Sequence, residues 1–395
     1  MSYLEFNYSQ PTEIAFGRGS ENRTGELLAG FGAKKVMITL GGGSAKRSGL
    51  LQRITDSLES AGIACVLYEG CRANPEAEWV DAGAKVCKTE NCDFLLAVGG
   101  GSVIDATKAI ALLASNPGEA IWPYLTYEMN FEQPALPMGV VLTIAATGSE
   151  CDASFVISNS ETKDKLLFTE NSTMPRFAVC NPERTFSVSP WQTACGISDI
   201  LSHLLEQYLY EDDTCTVSDE MMLGLMRSVV QWGPVAVREP ENYDARANLM
   251  LASTLAMNGL VGAGHDQNWV THMLEHAVSA VWPNVAHGAG MACLLPCYLK
   301  QIAAYDNTGK LARFAVSVFG VEQGGDAAAK AGNALRSFCT ELGLPATLQE
   351  LIGAEPTEEE LQTVVSKSLP WGPMQAGGYP DFAEEDVQAL FKLAK

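Results

Sequence analysis

Basic residues are scarce in this chain. Lysine and arginine number 26 against 47 aspartates and glutamates, a formal net charge of −21, and binding to nucleic acid or an anionic membrane needs clustered Lys and Arg. No apolar run approaches the roughly 18–20 residues of a membrane-spanning helix. The N-terminus, MSYLEFNYSQPTEIAFG, has neither the basic nor the apolar region of a signal peptide. The eleven cysteines form no CxxC pair, the nearest neighbours being Cys87 with Cys92 and Cys293 with Cys297; zinc-knuckle spacing is absent, and the thiols read as reduced and structural. A cytoplasmic protein is expected. Charged residues make up 18% and hydrophobic ones 47% of 395 residues, which describes an ordered chain long enough for two cores.

The first half alternates short apolar runs with amphipathic segments. Lys35–Leu40, Ala64–Tyr68, Phe94–Val98 and Met138–Thr143 read as buried parallel strands, with helical periodicity between them. Ser154–Ser158, Lys165–Phe168 and Phe177–Cys180 read as further strands. From Pro190 onward nearly every segment has helical period. The pattern predicts an α/β Rossmann-like domain with a parallel sheet over residues 1–185, followed by an all-α domain over 186–395.

Two glycine runs end strands in the first half. Gly99, Gly100, Gly101 and Ser102 close one strand and open a helix, where bare backbone and free N–H groups suit a pyrophosphate. The match to G-x-G-x-x-G lacks the third glycine, so the loop alone reads equally as a tight βα turn. Gly41, Gly42, Gly43 and Ser44, with Lys46 and Arg47, follow another strand. Cations in place of the acidic residue that usually meets a ribose favour a 2′-phosphate, hence NADP. Thr143, Thr147 and Ser149 offer hydroxyls suited to the nicotinamide half.

Histidine occurs five times, and its placement carries the strongest signal. Asp199 and His203 are spaced i, i+4, so on a helix they share one face. His272 and His287 are too far apart for one face, but Trp282-Pro283-Asn284 breaks the segment and lets His287 fold back. A lone histidine on an apolar face is usually a hydrogen-bonded core residue; the four together read as a shared site of nitrogen and oxygen ligands for Fe(II) or Zn(II).

With GGGSAKRSG, NPE at 74–76, VGGGSVIDATKAIA, TIAATGSE, GISDILSHLLEQY and THMLEH through AHG in order, the chain resembles the iron-containing, or group III, alcohol dehydrogenases. Within them it is similar to the NADPH-dependent butanol dehydrogenase and aldehyde reductase branch. The resemblance spans essentially the whole chain. It implies the dehydroquinate-synthase-like fold of that family, catalysis in the cleft between the domains, and interconversion of primary alcohols and aldehydes by hydride transfer with NADP(H). By the same resemblance Asp199, His203, His272 and His287 bind one divalent ion and His276 lies beside the substrate as a proton relay. Asp105 lies close to the pyrophosphate, Asn74 belongs to the adenosine side, Lys165 lines the rest of the cofactor, and a homodimer is expected, with Tyr3–Phe6 pairing at a sheet edge. One departure is the fourteen residues between His272 and His287, one more than many relatives have.

Competing readings remain within and outside the class: an NAD-dependent polyol or glycerol dehydrogenase, a dehydroquinate-synthase-like lyase, or a non-catalytic metal-binding protein. The lyase must hold a phosphorylated acid, yet 199–210 and 265–290 contain no Lys or Arg. Structural zinc sites favour cysteine, which this donor set lacks.

Overall fold

The computed structural model describes residues 5–210, 214–264, 267–369, 374–376 and 379–395. The chain divides into two compact units, Gln10–Ser187 and Val188–Lys395. The described residues through Ser9 group with the second unit, whereas the sequence division places them in the first. Of the segment Tyr3–Phe6, Tyr3 and Leu4 lie outside the described residues, and Glu5 and Phe6 form no strand.

The α/β unit runs β1 (Glu13–Phe16), α1 (Thr24–Gly30), β2 (Lys35–Leu40), α2 (Ser44–Arg47), α3 (Leu50–Ser60), β3 (Ala64–Tyr68), α4 (Ala77–Thr89), β4 (Phe94–Gly99), α5 (Gly101–Ser115), α6 (Trp122–Leu125), β5 (Met138–Leu142), β6 (Ser154–Asn159), β7 (Asp164–Thr169) and β8 (Phe177–Cys180). Six strands form one sheet in the order β1-β8-β5-β4-β2-β3, every pairing parallel. β6 and β7 make a separate antiparallel hairpin. The interior strands β4, β5 and β8 are buried along their whole length, as continuous apolar runs covered on both faces must be. Leu50, Ile54 and Leu58 lie four apart on α3 and are buried, so one stripe of that helix faces the core; truncating Ile54 to Ala would cost about 2–5 kcal/mol.

Two expectations need correction. Ala64–Tyr68 is not a buried strand: it is the sheet's edge, with Ala64, Cys65 and Leu67 exposed, because an apolar run does not reveal whether both flanks find partners. β1 escaped notice because four residues carry no period; it exists through its register with β8, Glu13 opposite Phe177 to Phe16 opposite Cys180.

The second unit contains α7 (Pro190–Tyr208), α8 (Thr216–Arg238), α9 (Tyr243–Met257), α10 (Val270–Val281), α11 (His287–Ile302), α12 (Lys310–Phe319), α13 (Ala327–Glu341), α14 (Leu348–Ile352), α15 (Glu358–Ser368) and α16 (Glu384–Ala394). Before α16 a short antiparallel hairpin, β9 (Met374–Ala376) with β10 (Tyr379–Phe382), is inserted. Among the described residues no helix is long and apolar enough to cross a membrane.

α7 is the axis of this unit. Ser189 caps it, accepting from the Gln192 amide, and Pro190 occupies its first turn, where a missing N–H costs nothing. Every residue from Thr193 to Tyr208 is buried. A helix enclosed on all sides must find partners for its polar side chains, and where those of α7 find theirs defines the site.

Candidate functional site

Asp199, His203 and Glu206 fall on one face of α7, at i, i+4 and i+7. α10 presents His272, with Glu275 and His276 one turn on. It ends at Trp282, whose amide still bonds Val278 O, and the turn containing Pro283 returns the chain so that His287 opens α11. The glycines of His287-Gly-Ala-Gly permit this docking. A Cβ on Gly288 would stand 2.0 Å from the Cys195 carbonyl of α7, and one on Gly290 would stand 2.8 Å from Cγ of Glu275 on α10.

The donors converge on one oxygen. Asp199 Oδ1 lies 3.4 Å from Nε2 of His287, 3.7 Å from Nε2 of His203 and 3.9 Å from Nε2 of His272. Donors bound tetrahedrally at Zn–N and Zn–O lengths stand ~3.4 Å apart; ligand atoms of Asp199, His272 and His287 all lie within 4.8 Å of one another, and His203, though 3.7 Å from Asp199 Oδ1, does not join that close group. Asp199 Oδ1, His203 Nδ1 and His272 Nε2 are buried without a hydrogen-bond partner among the described residues, a costly state for polar atoms unless something else satisfies them.

The Nδ1 atoms of two of the rings are held. Nδ1 of His272 bonds Glu206 and Nδ1 of His287 bonds Glu275, leaving Nε2 of each ring aimed inward. Glu206 also accepts from the Thr271 amide at 2.6 Å, and Glu275 from the Ser279 hydroxyl. A carboxylate behind each histidine fixes ring orientation and tautomer, as in metal sites generally. Both glutamates went unremarked in the sequence, where the signal is an acid three places after a histidine on an apolar helix: Glu206 after His203, Glu275 after His272.

Electrostatics point the same way. Asp199, Glu206 and Glu275 are 3%, 0% and 0% exposed, three carboxylates in a space that demands compensating positive charge. His203 cannot supply it, because burial pushes its pKa down to about 3 and keeps the ring neutral. Burial also opposes a charge on His272, but Glu206, Asp199 and Glu275 outweigh it and raise its pKa. Imidazole nitrogens, a carboxylate and an excess of negative charge fit a divalent cation; no sulfur takes part, which suits Fe(II) or Zn(II). His276 stands beside this set, its ring 5.5 Å from that of His287 and 6.5 Å from that of His272. Trp269 lies edge-on to His272 and His203, at 5.2 and 6.1 Å.

The α/β unit carries a second feature. β3 and β4 flank β2 on opposite sides, so the loops after β2 and β4 diverge and leave a crevice outside their carboxyl ends, the usual ligand position in an open parallel sheet. A cavity lies there, lined by Gly41, Gly43, Ser44, Gly99, Gly100 and Thr143 among others. Gly42 borders it in sequence. The glycines after β4 answer to packing as well as to any ligand: a Cβ on Gly100 would sit 2.2 Å from Cγ2 of Ile144, and one on Gly101 would sit 2.5 Å from Cγ2 of Thr147. The loop after β5 therefore lies against the N-terminus of α5.

Other residues assigned to the cofactor are placed differently. Asp105 accepts from Ser149 Oγ at 2.6 Å and from the Val156 amide at 3.1 Å, with Lys108 bonded to Ser149 and Asp152 behind them. Asp105 and Ser149 thus tie α5 to the 149–156 segment and do not line the cavity; nor do Ser102, Thr147, Asn74 and Lys165. Asn74 adopts φ 51° just before Pro75, and Lys165 sits on β7 opposite Ser158. The one charged lining residue that was not anticipated is Glu69, which directly follows β3.

The family model described as "Iron-containing alcohol dehydrogenase" matches residues 11–182, and that described as "Fe-containing alcohol dehydrogenase family, C-terminal" matches residues 193–395. A probable NADH-dependent butanol dehydrogenase 1 of Bacillus subtilis is 38% identical over 393 residues, covering 98% of this chain and 99% of the relative. The NADPH-dependent aldehyde reductase YqhD of Escherichia coli is 38% identical over 349 residues, covering 87% and 88%. The crystal structure of NADH-dependent butanol dehydrogenase A from Thermotoga maritima superposes with a TM-score of 0.93 at 33% identity, covering 100% of this chain and 99% of that one.

Proposed function

The chain belongs to the iron-containing alcohol dehydrogenase family, and on that premise we propose that it interconverts small primary alcohols, of about the size of butanol, and their aldehydes. The hydride carrier is a nicotinamide nucleotide held by the crevice after β2 and β4. One divalent ion, Fe(II) or Zn(II), is held by Asp199, His203, His272 and His287. The observation that carries this reading is the meeting of three imidazole nitrogens at Asp199 Oδ1, with buried donors left without hydrogen bonds.

When bound, such an ion supplies Lewis acidity, stabilising negative charge on the substrate oxygen as hydride adds to or leaves the adjacent carbon. The chain's own residues do the rest. Glu206 and Glu275 keep His272 and His287 from turning, so that their Nε2 atoms stay directed at the site. His276, partly exposed and one turn beyond His272, passes a proton between the substrate oxygen and solvent through its imidazole. Trp269 offers an apolar edge beside the histidines, suited to an alkyl chain. The pairing of Lys46 and Arg47 after β2 supports NADP(H), but the relatives named above include both NADH- and NADPH-dependent enzymes, and Glu69 bears on the choice as argued below.

The test is an assay of protein purified without oxygen and loaded with Fe(II) or Zn(II), given butanal and a panel of other aldehydes with NADH and with NADPH. Metal-dependent oxidation of a nicotinamide is expected. Full metal loading with no turnover of any aldehyde or alcohol would remove this reading in favour of a structural ion.

A further inference from the structure

The cations after β2 are already engaged. Lys46 Nζ lies 2.6 Å from Oε1 and 2.8 Å from Oε2 of Glu69, and Arg47 donates to the Gly42 carbonyl at 3.3 Å. The fold brings the acid there because β3 runs parallel to β2 with Tyr68 opposite Thr39, so both strands release their chains at the same end of the sheet. Glu69 and Lys46 therefore share the wall of the cavity with Gly41, Gly43 and Ser44. Their side chains are 40% and 50% exposed, and an ion pair so open contributes little to stability. Its position on the cavity wall calls for another explanation.

Resting on the nicotinamide reading above, the geometry points to Glu69 as the residue that sets dinucleotide preference, holding the site toward NAD(H). A carboxylate in this place accepts hydrogen bonds from the uncharged hydroxyls of an adenosine ribose, the pairing by which Rossmann-type sites select NAD. A 2′-phosphate brings between one and two further negative charges. It meets Glu69 as a like charge and finds Lys46 already neutralised, so the acid discriminates by repulsion as well as by attraction. Lys46 is then a latent phosphate ligand that Glu69 keeps occupied.

Fluorescence titration of the full chain with NADH and with NADPH reads this directly, without turnover. The wild-type protein is expected to bind NADH the more tightly. Glu69→Gln should lower the ratio of Kd for NADPH to Kd for NADH about three- to fivefold, the upper scale of one exposed charge interaction acting on a phosphate. Adding Lys46→Gln to that variant should cancel the gain, while Glu69→Asp should keep the wild-type preference and show that the site tolerates substitution. Binding of both dinucleotides with a ratio unmoved by Glu69→Gln, or a wild-type preference for NADPH, would overturn the inference and leave the enzyme reading intact. Failure of both dinucleotides to bind the wild type and every variant would bring down both readings.

Discussion

Nε2 of His287, at the first residue of α11, lies 3.4 Å from Oδ1 of Asp199 in the middle of α7, closer than either of the other two histidines. The oxygen is enclosed and has no hydrogen bond, so it is the point on which the site depends. Asp199→Ala should abolish retention of metal through dialysis and reduce aldehyde turnover at least ~10³-fold, the scale of a lost Lewis acid. Without metal the variant should be no less stable than the metal-free wild type, because a buried uncompensated charge has been removed. Elemental analysis paired with urea unfolding checks both; a variant that keeps its metal refutes the ligand assignment.

Glu275 tests whether support behind the ligands matters. Glu275→Gln preserves shape and an oxygen for Ser279 but removes the charge behind His287. Metal affinity measured by chelator competition should fall about 10–100-fold. An unchanged affinity would reduce Glu275 to a packing residue.

Gly101 and Thr147 should behave as a coupled pair. A methyl group at Gly101 meets Thr147 Cγ2 at 2.5 Å and Oγ1 at 2.7 Å, so Gly101→Ala should cost about 1–3 kcal/mol by overpacking. Thr147→Ala in the same chain removes both of those atoms and should recover most of the loss. Simple addition of the two single effects would show that the contact is not the cause.

Asp105 predicts a pH dependence of opposite sign to that of an ion-paired acid. Burial raises its pKa from 3.8 to about 6, against the pull of Lys108 and the Ser149 bond. The folded state then holds more of this proton than the unfolded state between those values. Asp105's contribution is therefore most favourable below the unfolded pKa and is lost as pH rises through the folded one. Asp105→Asn should flatten that fall in unfolding free energy from pH 4 to 7 by up to one proton; an unaltered slope would place the titration elsewhere.

Much of this was legible in residue order. The alternation of β2, β4 and β5 with helices is periodic and local, and Asp199 with His203 is a one-turn relation that any helix satisfies. The break at Trp282-Pro283 announces that His287 can return, though not where. Glu206 and Glu275 were passed over because their partners sit on other helices or beyond a turn, and β1 because its structure comes from pairing alone. Asp105 and Ser149 show what order leaves out: polar residues beside a glycine loop suggest a ligand, and only the fold shows that these two bond each other.

Sequence by itself determined the kinds of atom available and their local direction: imidazoles and a carboxylate in place of thiolates, glycines where strands end, cations after β2, and family membership through motifs in order. Those properties follow from side-chain chemistry and from periods of two and 3.6 residues. Tertiary structure alone decided which donors share one oxygen, which carboxylates stand behind them, and that Glu69 faces Lys46, because sheet order and helix docking set distances between residues far apart in the chain.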